Sequence, residues 1–366
     1  MRVAVEARST QPRWLTYATP VLTIGAALAV GAVALVALGV NPLAAYGTMF
    51  VGTLTSTFGV TETLVKAVPL VLTGLAVYVP LRAGLWNIGA EGQLYIGAIV
   101  GTWVGLNVDA GALVLLPLAL AGAGVAGALY GAVPGYLRAK YGVNEIIVSL
   151  MLTFVGVRIA SYLVRGPMRG GEGNFPVSAG LPDAAQLPTV GGTSLHAGVL
   201  VTLVLVAVVA LFVSRSRTGF EVTFVGSNAE AARGMGMNTA WIYVLVFAVG
   251  GALAGLAGSM EIMGVQERLR PEFSPGYGFT AIPIALLGRN GAGRVLLAGL
   301  FFALLFVGGS SMEVAFGVPA ALVDVVQALV VLFLITAEFF KRYRISLERT
   351  DGQEPRTPEP GAAGGD

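Results

Sequence analysis

Long apolar runs recur from one end of this chain to the other, and they restrict the possible fold more than any other feature. They lie at roughly 20–40, 63–81, 88–106, 110–134, 143–164, 197–214, 241–263, 273–288, 295–312 and 318–340. Most of them approach the ~20 residues that a helix needs to cross a bilayer. Only 11% of the residues are charged, against about 25% in an ordinary soluble domain. The sequence therefore predicts an all-α, polytopic transmembrane helical bundle of about ten spans.

The basic residues predict the orientation of this bundle. The first apolar run is longer than the ~7–15 residues of a signal-peptide core, so we interpret it as a retained span. With the N-terminus in the cytoplasm, sixteen of the 22 Lys and Arg residues fall on the cytoplasmic side and four fall outside. Cytoplasmic loops carry such an excess. The expectation is a multi-pass protein of the cell membrane with both termini in the cytoplasm.

Segment 273–288 is the weakest of the ten spans, because its apolar core "GFTAIPIALLG" could be re-entrant. A re-entrant segment would move seven cations outside and abolish the charge asymmetry, so a full span is the better interpretation.

The connections divide the chain into regions. We expect a cytoplasmic N-terminal segment at 1–19, a transmembrane domain at 20–340 and a cytoplasmic tail at 341–366. We expect this tail to be disordered, because its part after about residue 350 is acidic and rich in Pro and Gly. Within the domain, the longest connection is external, at 165–196, and the loop at 215–240 is cytoplasmic. Long loops of this kind are functional or disordered, so docking of an external protein and a simple tether both remain open.

Several chemistries are excluded by the residues that the chain lacks. The stretch "GRNGAGRV" (288–295) has the glycine spacing of a phosphate-binding loop, but Arg294 and Val295 replace its lysine and hydroxyl residue. There is no cysteine, His196 is the single histidine, and the net charge is +2. We therefore predict no ATP site, no metal or other cofactor, no catalytic residue and no nucleic-acid partner.

Glu91 is the first polar residue that departs from a plain membrane anchor. It lies in "GLWNIGAEGQLYIGAIVG" (84–101), where a carboxylate at the bilayer centre would cost roughly 2.5–3.5 kcal/mol. Asn87 precedes it by four residues, so both would share one helix face. A polar translocation pathway is one interpretation. A packing seam of small residues, with Glu91 neutral or near an interface, is the other.

Asn144 and Glu145 begin the segment "GVNEIIVSLMLTFVGVRIASYLV" (142–164). Asn144 fits the N-cap of a helix, and Glu145 fits its first turn, where the helix dipole favours a carboxylate. This structural role competes with a role in a pathway.

Three further polar residues lie within apolar segments. Asp324 and Gln327 are i,i+3 neighbours on one face of the last span, where they would either bond another helix or line a pathway. Arg158 lies deep in its span and needs a partner or an aqueous wall. Lys66 lies near an external end and could extend its ammonium group to the interface.

The cytoplasmic stretch "SRSRTGFEVTFVGSNAEAARGMGMNTAW" (214–241) predicts a short projecting helix. Ser227 or Asn228 can cap it, Glu230 occupies the first turn, and glycines follow the alanines. Such a helix suits a groove on a partner protein, although a solvated linker helix is the alternative.

At this point the sequence resembles a known family. "EAARGMG" is similar to the coupling-loop signature of permease subunits of ABC importers. "GLWNIGAEGQLYIGA", "VNEIIVSLML", "YLVRGPMR" and "ALLGRNGAGRVLLAGLFFALL" resemble the branch of these permeases that handles nucleosides and simple sugars, which is related to the branched-chain amino acid permeases. The resemblance covers roughly residues 20–340. The chain departs from other importer branches in having no I-x-L-P after the coupling glycine.

The resemblance implies a membrane-spanning permease subunit that moves a nucleoside or simple sugar and is not itself an enzyme. Its implied partners are a cytoplasmic ABC ATPase, a second permease that is a related chain or another copy, and an external solute-binding protein. The ATPase would dock on Glu230, Ala231, Ala232 and Gly236. The candidate pathway residues are Asn87, Glu91, Asn144, Glu145 and Asp324.

An ion-coupled secondary transporter of a small polar solute is the alternative. It would use Glu91, Arg158 and Asp324 as coupling groups, and it would not need the projecting helix.

Overall fold

The computed structural model describes residues 2–7, 13–170 and 175–348. Most of this part of the chain is helical. The α-helices are α1 (Arg13–Ala37), α2 (Pro42–Tyr46), α3 (Thr53–Thr55), α4 (Thr57–Arg82), α5 (Ala90–Asn107), α6 (Ala112–Tyr141), α7 (Glu145–Arg165), α8 (Gly198–Arg215), α9 (Arg217–Ser227), α10 (Ala229–Gly234), α11 (Thr239–Glu261), α12 (Tyr277–Leu287), α13 (Ala292–Phe316) and α14 (Ala320–Arg342). Shorter elements are π-helical turns at Gly47–Gly52 and Ile262–Gln266 and a 3-10 turn at Asp183–Ala185.

Each of the ten apolar segments coincides with a helix, but the helices differ in length. Among the described residues, six are long and apolar enough to cross a membrane: α4, α6, α7, α8, α11 with its π-helical turn, and α13. This confirms a multi-pass helical bundle, whereas the count of ten spans stays a prediction.

The weak eighth segment is a half-length helix. α12 has 11 residues, which is about 16 Å at 1.5 Å per residue, roughly half of the ~30 Å hydrocarbon layer. The helical part of segment 273–288 alone is therefore too short to cross the layer, and a full span by the whole segment stays a prediction. The helix starts inside the bundle, where the carbonyl of Tyr277 accepts a hydrogen bond from Thr73 Oγ1 of α4.

α4, α5, α6 and α11 form the centre of the bundle. In the most apolar 18-residue stretch of α4, 83% of the residues are buried by the rest of the chain. Glycines allow the backbones to touch: a Cβ added at Gly97 of α5 would overlap the backbone of Gly255 in α11, and one added at Gly251 of α11 would overlap the backbone of Gly127 in α6. Small residues at helix contacts are the usual means of close packing in membranes.

The bundle has two distinguishable ends. α4 ends beside α9, where Arg82 Nη2 donates to Thr223 Oγ1 at 3.1 Å, and we call this the coupling end. The connection that follows α7 packs on the opposite end, where the Leu187 amide donates to the Met263 carbonyl at 2.8 Å, and we call this the cap end.

Two short strands join the ends of the chain. β1 (Arg2–Ala7) pairs antiparallel with β2 (Tyr343–Glu348). The tail was expected to be disordered from residue 341, but α14 continues to Arg342 and β2 follows it, so that expectation is wrong for this part. Residues 349–366 lie outside the described part of the chain. The pairing places both described ends of the chain together.

Candidate functional site

The projecting loop at the coupling end consists of α9 and α10. Asn228 separates the two helices, and its Oδ1 accepts hydrogen bonds from the Glu230 and Ala231 amides at 3.1 and 2.9 Å. This is the expected N-cap, and it satisfies two amides that a helix start leaves without partners. Gly236 ends the element with φ +82°, a conformation that favours glycine.

α10 has one packed side and one open side. Ala232 is fully buried, whereas Glu230, Ala231 and Arg233 are exposed. Two large apolar side chains are exposed as well, Phe220 on α9 and Met235 after α10. A solvated loop would not normally present such side chains. The α9–α10 loop therefore exposes small, charged and apolar groups, which suits contact with another protein.

α9 is fixed to the turn between α4 and α5. Besides the bond from Arg82 to Thr223, Gly226 touches the backbone of Arg82 so closely that an added Cβ would overlap its carbonyl. Gly84 of the same turn, with φ +76°, also packs against the backbone of Gly226. A displacement of the loop would consequently be passed to the start of α5.

Glu91 lies at that start and reaches another helix. It is 3% exposed, and its Oε2 accepts a hydrogen bond from the amide of Gly278, the second residue of α12, at 2.6 Å. A carboxylate at a helix N-terminus is favourable, since the first amides lack partners inside the helix. An added Cβ on Gly278 would overlap the backbone of Glu91, so glycine permits this approach. Glu91 thus joins α5 to the half-length α12.

Asn87 fixes the segment that precedes α5. Its amide forms a reciprocal pair with Gln93, with distances of 2.9 and 3.0 Å, and its Nδ2 also donates to the Ala76 carbonyl at 3.1 Å. The expectation that Asn87 and Glu91 share a helix face is wrong, because α5 begins only at Ala90. The buried side chain of Asn87 closes the turn onto α4 and α5.

A second polar cluster, which the sequence analysis missed, joins α4, α11 and α12. Lys66 Nζ lies 3.6 Å from Glu261 Oε1 and donates to the Tyr277 hydroxyl at 3.0 Å. Gln266 Nε2 donates to the same Glu261 oxygen at 3.2 Å. Lys66 therefore pairs within the bundle rather than only extending to an interface. Glu261 was detectable by the same signal as Glu91, an acidic residue in an apolar run.

Glu261 is almost completely enclosed. It is 1% exposed, and within the described part of the chain its Oε2 has no hydrogen-bond partner. The residue ends α11 where the π-helical turn begins, and such turns are frequent at functional sites. Lys66 is the charge that compensates it.

Asn144 and Glu145 occupy the structural positions expected of them. Asn144 caps α7, its Oδ1 accepting from the Ile146 amide at 2.9 Å. Glu145 Oε2 lies 3.4 Å from Arg138 Nε of α6. Both residues stand at the coupling end of α7, and neither makes a hydrogen bond or ion pair with Asn87 or Glu91 among the described side chains.

The remaining singled-out charges lie on the surface of the subunit. Asp324 is exposed on α14, and the side chain of Gln327 lies outside the described residues. Arg158 is exposed on α7 among Phe154, Ile159 and Tyr162. The structure thus gathers Asn87 and Glu91 at one junction and leaves the other candidate residues elsewhere.

The long connection at the cap end is folded onto the bundle. Ser178 exchanges hydrogen bonds with the Leu269 backbone, its amide donating to the carbonyl and its Oγ accepting from the amide. His196 is buried, and this burial lowers the pKa of its imidazole to about 4. A neutral His196 then accepts a hydrogen bond from the Gly198 amide at 3.2 Å. The connection forms a packed cap rather than a loose tether in its described part.

The chain is similar in sequence to permease subunits of known transporters. Residues 59–335 match the family described as the permease component of branched-chain amino acid transport systems. The glucose ABC transporter permease protein TsgB13 of Haloferax volcanii is 61% identical, over 95% of this chain and 94% of its own length. The guanosine ABC transporter permease protein NupP of Bacillus subtilis is 34% identical, over 87% and 92%.

A further relative comes from the same organism as the first. The putative glucose ABC transporter permease protein TsgC13 of Haloferax volcanii is 28% identical, over 66% of this chain and 74% of its own length. One organism therefore holds two permeases that are both similar to this chain.

Proposed function

From the premise that the chain belongs to the permease-component family of branched-chain amino acid transport systems, we propose that it carries a simple sugar of the glucose class. The chain is the membrane-spanning permease subunit of an ABC importer, in which ATP hydrolysis belongs to a separate subunit. The sugar is favoured over a nucleoside because the 61% identical relative is a glucose permease, whereas the guanosine permease is 34% identical.

The projecting α9–α10 loop is the observation that carries the mechanism. The loop exposes Glu230 and Ala231, and it also exposes the apolar side chains of Phe220 and Met235. We assign this surface to the ATPase, which would hold it in a groove. The coupling end is then cytoplasmic, in agreement with the excess of Lys and Arg residues.

Movement of the loop has a direct route into the bundle. α9 is fixed to the α4–α5 turn through Arg82 and Gly226, and the start of α5 holds α12 through Glu91. When the ATPase subunits close, a displacement of α10 would shift this turn and with it the start of α12. We propose that the α5–α12 junction changes the access of the solute from one side to the other.

The roles of the candidate pathway residues follow from this geometry. Glu91 would act by holding the N-terminus of α12, and Asn87 by holding the turn. Asn144 and Glu145 would stabilise the coupling end of α7. Asp324, which is exposed on α14, would face another subunit.

The remaining partners are an external solute-binding protein and a second permease. An external solute-binding protein would dock at the cap end, whose packed connection provides a surface for it. A second permease of the same family would complete the transporter, because Haloferax volcanii holds two relatives of this chain.

The variant Gly236→Asp tests the coupling assignment. A side chain at φ +82° is strained, so the end of α10 should change shape. We expect sugar uptake to fall roughly tenfold or more while ATP hydrolysis by the assembled transporter continues. A misplaced α10 would no longer transmit the movement of the ATPase to the spans, so hydrolysis would proceed without transport. Radiolabelled glucose uptake and phosphate release are measured on the same preparation.

Gly142→Asp is the matched control. Gly142 also has a positive φ, at +66°, and open space around its Cβ position, but it follows α6 rather than α10. It should retain uptake. Normal uptake by Gly236→Asp would contradict the assignment of α10 to the ATPase contact. If guanosine competed with uptake by the unmodified transporter and glucose did not, the proposed solute would be a nucleoside instead of a sugar.

A further inference from the structure

α7 presents an apolar face that this chain does not cover. Only 22% of its most apolar window is buried, and Phe154 and Tyr162 are 56% and 68% exposed. Such a face would be ordinary for a helix in contact with lipid, except that Arg158 lies within it. No described side chain forms an ion pair with this guanidinium group.

Lipid is a poor environment for Arg158. It precedes Arg165, the last residue of α7 at the cap end, by seven positions, which places its backbone about 10 Å below the helix end. On insertion scales a charge at the centre of a spanning helix costs about 2.5–3.5 kcal/mol, and charged residues within spanning segments almost always face a protein interior, a partner or water. A covering carboxylate would remove this cost.

The surface around Arg158 has the shape and composition of a protein contact. It forms an open hollow of about 420 Å³, lined by Phe154, Val155, Arg158, Ile159 and Tyr162. Aromatic and arginine side chains are enriched at the centres of protein interfaces, where one side chain fills a pocket on the other partner.

An exposed carboxylate near the same end of the bundle is carried by α14. Asp324 lies four residues after Ala320, the first residue of α14, or about 6 Å along it, and it is exposed. α13 packs antiparallel to α4, with Gly299 against Val71 and Val295 against Gly74, so α14 begins at the cap end, where α7 ends. A rotation about an axis along the bundle preserves depth.

We propose that the α7 face centred on Arg158 binds the second permease subunit, through a carboxylate at the position of Asp324 in that subunit. The proposal rests on the proposed function, because it takes the chain to be one of two permeases in the transporter. The opposite charges select this partner over lipid. They also fix the depth at which the two subunits meet.

A single cysteine tests the contact, since the chain contains none of its own. Tyr162→Cys is labelled with benzophenone maleimide in the complete transporter in native membranes and then illuminated. We expect a covalent adduct with a second permease chain, identified by mass spectrometry as another copy or a related sequence. Adding Arg158→Glu should lower the yield of this adduct roughly tenfold, while Arg158→Lys should retain it.

Leu200→Cys is the control position, because it is exposed at the cap end of α8 and lies outside the hollow. It should give lipid adducts. Adducts of Tyr162→Cys with lipid alone, or with a protein that is not a permease, would overturn the proposal. Co-purification of the ATPase distinguishes failure of this interface from failure of the proposed function. If the ATPase co-purifies but Tyr162→Cys gives only lipid adducts, only the interface is rejected. If no ATPase co-purifies, the proposed function is rejected.

Discussion

α4 and α7 are both long apolar helices of this bundle, yet the chain treats their polar residues in opposite ways. α4 is buried over 83% of its apolar window and α7 over 22%. Lys66 of α4 finds Glu261 and Tyr277 within the subunit, whereas Arg158 of α7 is exposed. The location of a charge's partner, rather than the apolarity of the helix, therefore distinguishes a helix of the core from one that faces outward.

The largest loss of stability is expected from a substitution of Gly97 in α5, at a close contact of the buried helices. Gly97→Ala should destabilise the subunit by about 3 kcal/mol or more, since its Cβ would overlap the Gly255 backbone and force α5 from α11. Thermal unfolding in detergent measures the loss. Gly122→Ala of α6 is the control, because its Cβ would meet only the Val100 and Val104 side chains at 3.4 and 3.7 Å. Equal stability of the two variants would contradict the close α5–α11 contact.

The next effect concerns the buried ion pair. Lys66→Met should destabilise the subunit by about 3–5 kcal/mol, because it leaves Glu261 as an uncompensated buried charge. The double variant Lys66→Met/Glu261→Gln should recover most of this loss, since the charge is then removed as well. Denaturation midpoints of the single and double variants form the measurement. A double variant no more stable than Lys66→Met would show that the two residues do not act as a pair.

The smallest effect is expected on the exposed side. Phe154→Ala on α7 should change the stability of the isolated subunit by less than about 0.5 kcal/mol, because the ring is mostly outside the packed bundle. Phe247→Ala on the fully buried side of α11 should cost about 3–5 kcal/mol in the same assay. Similar losses for both would mean that α7 is packed more tightly than its exposure indicates.

Local chemistry explains which predictions succeeded. The N-caps at Asn144 and Asn228 depend on a side chain and amides two or three residues away, so spacing along the sequence is sufficient to find them. Each apolar segment likewise coincides with a helix, because length and composition govern that outcome. The family resemblance was confirmed by the match over residues 59–335.

Long-range contacts explain the errors. The pairing of Asn87 with Gln93 and Ala76 required the turn after α4 to fold back, and nothing in the 3.6-residue period indicates where α5 then begins. Lys66 and Glu261 are nearly two hundred residues apart, so their ion pair could not be inferred from either neighbourhood. The packed cap depends in the same way on contacts of Ser178 and Leu187 with the chain after α11.

Sequence alone was sufficient to predict a multi-pass helical membrane protein, a capped short helix at residues 229–234 and the family of the chain. These properties follow from apolar length, helix-capping chemistry and local motifs, all of which act over a few residues. The three-dimensional contacts were needed to find that α12 is a half-length helix held by Glu91, that Lys66 pairs with Glu261, and that α7 faces outward. The reason is physical: desolvation of a charge depends on which distant helix lies beside it, and the apolar period of a helix is the same whether lipid or protein covers it.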